Sequence, residues 1–293
     1  MSEPVDELVD GFTRLRLDFG YDGTDFHGWS KQTDLRTIQG EFIKALTLIF
    51  GEDENGFGLR VAGRTDAGVH AVGCVLHMDL SDAQMKRLGR NDSMEDIAYK
   101  LNGLLPADIR VNKVSVAAVG FDARFSAINR RYRYRIADQL AEKNPLESRF
   151  TLEAWGRFDV EAMNQAGQVL IGLHDFASFC KPREGSTTIR ELQEITVKRV
   201  PNGVVEIEIQ ADAFCHNMVR SIVGALIGVG QGKADAAKIK ELLEKTNREG
   251  SFKVVAPHGL QLMAIGYPAD ELLAQQAREA RNFRTLDDLQ GDN

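Results

Sequence analysis

Cysteine is scarce in this chain: Cys74, Cys180 and Cys215 are the only three in 293 residues, widely spaced and odd in number. Such usage argues against a disulfide framework, and no CxxC or Cys/His spacing offers a zinc site. It fits a reducing cytoplasm. No run of about 18 apolar residues occurs, so no membrane span is predicted. Residues 1–10 are acidic and lack the basic and apolar regions of a signal peptide. Net positive charge is absent too: 36 Lys and Arg face 43 Asp and Glu, for a net −7. That argues against a protein coated by nucleic acid. An RNA-binding face, however, needs local positive charge rather than a basic total. The histidines show no HExxH or other zinc spacing. Gly228 to Lys233 resembles a phosphate loop but lacks its first glycine and its Ser/Thr, and it follows a helix. Ser178 and Ser186 stand in no nucleophile-elbow context.

What is present is an ordinary globular composition, 43% apolar and 27% charged, enough for one large domain or two ordinary ones. Residues 14–19 alternate as a strand. Thr37 caps a helix over 38–50 that Gly51 stops. Strand-like runs flank residues 63–71. A second helix is predicted over 93–105, ending at Pro106, and a strand over 109–117. The order is β-α-β-β-α-β. The second half repeats it. A strand over 132–136 leads to a helix over 160–171. Strands over 192–200 and 204–211 follow, joined by Pro201-Asn202-Gly203. Helices over 216–229 and 239–245 and a closing strand over 260–267 complete the pattern. The fold class expected is α+β, with two tandem ferredoxin-like halves, antiparallel sheets, helices on one side and a cleft between halves. The boundaries expected are 11–118, 119–268 and a charged tail over 269–293.

The most informative stretch is Gly63-Arg64-Thr65-Asp66-Ala67-Gly68-Val69-His70-Ala71. It places an acid and a base two positions apart among small residues. Residues two apart in an extended segment point the same way, and Ala67-Gly68 allows close approach to the backbone. One reading is a carboxylate presented to substrate; the other is a hairpin turn in which Asp66 bonds its own backbone. A basic run, Arg130, Arg131, Arg133 and Arg135, alternates with Tyr132 and Tyr134, and Arg124 precedes it. Arginines alternating with aromatics suit phosphate and base recognition together. They equally suit an amphipathic core strand with a solvated outer face. Tyr132 and Tyr134 face the same side, lining either a cleft or the core.

The nine-residue stretch resembles the signature of the tRNA pseudouridine synthase A family. So do Tyr21-Asp-Gly-Thr-Asp-Phe-His-Gly-Trp29 with Thr37-Ile-Gln39, and Phe121-Asp-Ala-Arg-Phe-Ser126 with Arg130-Arg-Tyr-Arg-Tyr134. Asp212 to Arg220 and His258-Gly-Leu260 match as well, and the segments run in order from about Leu15 to Tyr267. The resemblance implies two RRM-like halves and isomerisation of uridine to pseudouridine in the tRNA anticodon stem-loop, at positions 38–40. It implies a homodimer that needs no cofactor and no metal. It makes Asp66 the nucleophile, Arg220 its pairing arginine, Tyr132 the stacking partner of the base, and Leu260 an apolar wall. RNA contacts are expected from Arg64, Phe121, Arg124, Arg130 and Arg131, and from Lys181 and Arg183 in a basic loop. The chain departs from the family pattern at Ser30-Lys31-Gln32, and His27 and Cys215 stand at variable-looking positions. These departures bear on tRNA preference. Two other readings remain open: the same chemistry on another RNA, or a non-catalytic RNA-binding protein. The lone acid among arginines disfavours the second, since it would repel phosphate.

Overall fold

The computed structural model describes residues 10–87, 93–182, 187–245 and 252–281. They form two compact units. One holds residues to 128 and from 262 to 281; the other holds 129–261. Beyond 281, the expected charged tail lies outside the described residues.

The first unit opens with β1 (Phe12–Tyr21), α1 (Ile38–Phe50), β2 (Arg60–Val61), β3 (His70–Ser81), α2 (Asp82–Arg87), α3 (Met94–Leu104) and β4 (Ile109–Val116). This is the expected β-α-β-β-α-β order with one short added helix. β1 lies antiparallel between β3 and β4, and β2 pairs antiparallel with β3. Alternation on β1 sends Leu15, Leu17 and Phe19 to one face, where all are fully buried. Arg14, Arg16 and Asp18 take the other face. The helix signals act as read. The Thr37 hydroxyl accepts from the Gly40 N–H, and Ile38, Phe42, Ala45 and Leu46 are buried. Ser93 and Asp96 form a reciprocal capping box on α3.

The second unit contains β5 (Asn129–Ala137), β6 (Leu152–Glu153), α4 (Val160–Gln168), β7 (Gly172–Asp175), β8 (Ile189–Arg199), β9 (Val205–Ala211), α5 (Met218–Gly230) and α6 (Ala236–Leu243). The strands from β5 through β9 and β8 to β7 pair antiparallel, and β6 runs parallel to β5. The predicted hairpin at 201–203 is present, with Gly203 at φ 82° and Val200 N–H bonded to the Val204 carbonyl. α6 starts earlier than expected because Asp235 caps it through the Lys238 N–H.

β10 (Leu260–Gly266) and α7 (Leu273–Glu279) close the described chain. From Leu262 onward this stretch belongs to the first unit, and β10 neighbours β3 there. The architecture is α+β with mostly antiparallel strands, as expected. No helix among the described residues is long and apolar enough to cross a membrane.

One expectation is corrected. The cysteine spacing suggested no disulfide, yet Cys180 and Cys215 are paired, with Cα atoms 5.7 Å apart. They are 35 residues apart in sequence. Only folding of the 212–217 segment beside Cys180 brings them together, so spacing held no sign of it.

Candidate active site

In the first unit, Asp66 stands in the loop between β2 and β3. The Val69 N–H bonds the Asp66 carbonyl at 3.2 Å, and Gly68 adopts φ 76°. The segment is therefore a turn, and the turn is the means of presentation: Thr65 and Val69 are buried, Asp66 is half-buried, and Arg64 and Ala67 are exposed. Residues 21–29 cradle it. The Tyr21 hydroxyl meets the Thr65 hydroxyl at 2.6 Å in a buried contact. Trp29 N–H donates to the Thr65 carbonyl, and Gly68 N–H donates to the Phe26 carbonyl, at 3.1 and 3.2 Å. Gly23 N–H donates to His70 Nδ1 at 3.1 Å. A methyl group at Gly23 would collide with the Val69 backbone. In β1, the register against β3 shifts between Phe19 and Tyr21. A bulge of this kind re-aims the strand end that carries Tyr21. Tyr21 was legible only as part of a turn-rich stretch, since its partner lies 44 positions away.

The same unit holds Phe121 and Arg124. Arg124 is exposed, with its guanidinium 4.7 Å from the Phe125 ring centroid. Phe121 does not meet the expectation of an RNA contact: it is 3% exposed. Its ring lies 5.1 Å from that of Tyr267, edge-on to His77. An apolar ring preceding the loop is worth more in the core than in water, so Phe121 anchors the segment instead. Asp122 organises that segment. Its carboxylate accepts from the Arg124 and Phe125 N–H groups at 2.8 and 2.9 Å and from Arg60 at 2.9 Å. Arg281 adds a contact at 3.4 Å. Burial works against its ionisation, but the backbone donors and the Arg60 guanidinium hold its pKa below the ordinary value. His77 is fully buried and accepts the Ala123 N–H at Nδ1, while its Nε2 has no partner among the described residues. Burial first, then Arg14 and Arg60, lower its pKa to about 3. It is held neutral.

In the second unit, β5 separates two kinds of residue. Tyr134 is fully buried and its hydroxyl donates to the Ala256 carbonyl at 2.7 Å. Tyr132, on the same face, is 8% exposed and meets the Phe214 ring edge-on at 5.2 Å. The alternating arginines face glutamates across the sheet. Arg133 stands opposite Glu208 and Arg135 opposite Glu206 in the β5–β9 register. Arg131 reaches Glu194 at 3.0 Å and Arg135 reaches Glu147 at 2.6 Å. The stripe is thus largely an ion-pair ladder, with Arg131 partly exposed at its edge. Arg130 is half-buried and donates to the Asp212 carbonyl at 2.6 Å.

Arg220 occupies the first turn of α5. Its Nε donates to the Val255 carbonyl at 2.8 Å, and Asn217 lies 3.4 Å away. Its charge acts on Tyr134, although burial dominates and pushes that hydroxyl's pKa up. Leu260 is 6% exposed at the start of β10. It follows Gly259, where a Cβ would come within 2.6 Å of the Tyr134 ring. Lys181 is exposed, and its N–H bonds the His216 carbonyl at 2.8 Å. Arg183 lies outside the described residues. In the second unit the Arg220 charge acts on the core tyrosine Tyr134, Gly259 lies against its ring just before Leu260, and Tyr132 stands two positions along the same face of β5; the first unit presents Asp66 on its turn.

The sequence pattern of a tRNA pseudouridine synthase family matches residues 166–268. A tRNA pseudouridine synthase A of Streptomyces avermitilis is 49% identical over 282 residues, covering 96% of this chain and 97% of that protein. The corresponding protein of Leifsonia xyli is 45% identical, covering 95% of this chain and all of that one. That of Bifidobacterium longum is 42% identical, covering 94% and 100%. Identity at this level along nearly the whole length of each places the chain in the tRNA pseudouridine synthase A family.

Proposed function

We propose that this protein converts uridine to pseudouridine in the anticodon stem-loop of tRNA, at positions 38–40, with Asp66 as nucleophile. The single observation that carries this reading is the presentation of Asp66: a half-buried carboxylate on a turn whose neighbouring residues are buried and hydrogen-bonded. The reaction breaks the bond between uracil N1 and ribose C1′ and joins C1′ to C5 of the same base. The proton leaves C5 and N1 gains one, so no net redox change occurs. A carboxylate nucleophile must be ionised and aimed. The loop's buried contacts supply the aim.

The base is reached by extruding the nucleotide, which costs a few kcal/mol and least at loops and stem ends. Tyr132 stacks on the extruded base, a contact worth roughly 1–3 kcal/mol. Leu260 supplies an apolar wall and Arg220 the compensating positive charge. Arg64, Arg124, Arg130, Arg131, Lys181 and Arg183 are the proposed phosphate contacts. The protein works as a homodimer in the cytoplasm, without a cofactor.

The test pairs wild type with Asp66→Ala on an unmodified tRNA transcript bearing uridines throughout the anticodon arm. Pseudouridine is mapped by mass spectrometry and tRNA binding by filter retention. Product at 38–40 from wild type alone, with binding by both proteins, is the expected result. Product elsewhere would move the substrate assignment; product from Asp66→Ala would remove Asp66 from the chemistry.

A further inference from the structure

We infer that Cys180 and Cys215 form a reversible oxidation site that controls access to Tyr132. Cys180 ends the short helical turn Ala177–Phe179, and Cys215 stands three positions before α5. Their Cα separation of 5.7 Å falls inside the range of about 4.4–6.8 Å that a disulfide spans without backbone movement. The backbones beside them are already joined by the Lys181 N–H and His216 carbonyl, at 2.8 Å.

The two thiols differ in the way an attacking and resolving pair requires. Cys180 is 1% exposed, whereas Cys215 is half-buried and stands just before a helix N-terminus, next to His216. A peroxide therefore reaches the Cys215 sulfur first, and the buried Cys180 sulfur resolves. Cys74 is a different case: it is fully buried, and burial pushes its thiol pKa well above the ordinary value.

The link to function runs through Phe214. It is adjacent to Cys215, and its ring meets Tyr132 at 90° and 5.2 Å. Tyr132 is 8% exposed, so a base lies on its ring only after a neighbour moves aside. The 212–217 segment carries that neighbour. A bond from Cys215 to Cys180 ties the segment down; two free thiols release it. The effect on rate rests on the proposed role of Tyr132, whereas formation of the bond does not.

The oxidant is a peroxide. The Cys215 thiolate attacks one peroxide oxygen: an S–O bond forms, the O–O bond breaks, and water leaves after proton uptake. The Cys180 sulfur then attacks the sulfenic sulfur: the S–S bond forms, the S–O bond breaks, and a second water leaves. The thiols together lose two electrons and two protons, and the peroxide gains them. A thiol reductant reverses the reaction.

The experiment uses the full chain, reduced, then treated with hydrogen peroxide, with and without later dithiothreitol. Peptide mass mapping under non-reducing conditions reads the cross-link. Pseudouridine formation on unmodified tRNA reads the rate. The expected result is a 180–215 cross-link and a roughly tenfold loss of rate, both reversed by dithiothreitol. Cys180→Ser and Cys215→Ser keep the reduced rate and lose the peroxide response, while Cys74→Ser retains it. Alanine at either position guards against a serine that perturbs the fold. Thiols at 180 and 215 that still alkylate after peroxide, or a cross-link with no change in rate, overturn the proposal. A reduced wild type that makes no product would defeat the catalytic reading instead, and the cross-link map would still decide whether the oxidation site exists.

Discussion

The contact between the Tyr21 and Thr65 hydroxyls, 2.6 Å and buried, fixes the residue immediately before Asp66. Tyr21→Phe leaves the Thr65 hydroxyl without this partner, a loss of roughly 1–3 kcal/mol in stability. Misplacing a reacting group by a fraction of an ångström is costly to rate. The variant is expected to lose about tenfold in kcat while tRNA affinity holds; steady-state kinetics beside filter binding separate the two. A second prediction concerns His77, whose pKa falls from 6.5 to about 3 on folding. Between those values the unfolded chain binds the proton and the folded chain does not. Stability therefore falls as pH falls through this window. Between pH 7 and pH 5 the loss is roughly 2 kcal/mol from this group. His258, lowered by burial, adds in the same direction. His77→Asn keeps an acceptor for the Ala123 N–H and carries no titrating proton. Denaturant unfolding across pH should show a shallower acid-side slope for it; an unchanged slope would contradict the buried neutral histidine.

Among the elements, two glycines make opposite predictions. Gly23 lies against the backbone of Val69, where a methyl group has no room. Gly23→Ala must push the 21–29 segment away from the Asp66 loop. It is expected to cost roughly 1–3 kcal/mol, the usual range for overpacking, and to lower kcat. Gly103, near the end of α3, is the opposite case: a methyl group there meets no described atom within 4 Å. Gly103→Ala is expected to stabilise by roughly 0.5–1 kcal/mol and leave activity alone. Thermal melts of the two variants, side by side, check both signs. The contrast also shows what a turn-rich stretch conceals. Both glycines look alike in sequence, and only the Asp66 loop laid beside Gly23 makes it irreplaceable.

For the whole molecule, the acidic total does not prevent RNA binding, because phosphate meets the local field of exposed arginines rather than the net charge. The β5 stripe is burdened: Arg133 and Arg135 face Glu206 and Glu208 across β9. Arg124 is exposed and lies over the Phe125 ring. Arg124→Ala is expected to weaken tRNA binding and reduce the slope of log affinity against log salt by about one. Arg133→Ala is expected to leave that slope unchanged. Titrations over a range of salt concentrations distinguish them, and equal slopes for the two would reject the assignment of Arg124 to phosphate.

Local and periodic features of this chain were determined by sequence alone. Thr37 and Gly51 bound α1 because a cap and a left-handed stop need only their own neighbours, and the 15–19 alternation decides which face of β1 is buried. The ordered motifs named the family because they record residue types along one dimension. Contacts between distant positions were decided only by tertiary structure. The strand pattern at 131–135 left the arginines open between RNA face and solvated face, and the register against β9 placed glutamates opposite them. Phe121 stands three positions before Arg124 in the same motif, and the burial of its ring against Tyr267 and His77 took it out of contact with RNA. The Cys180–Cys215 pair, the return of residues after 261 to the first unit, and the Tyr21–Thr65 contact share the same origin. Each depends on which segments pack side by side, and the free energy of that packing is summed over the whole core rather than written in any one stretch of chain.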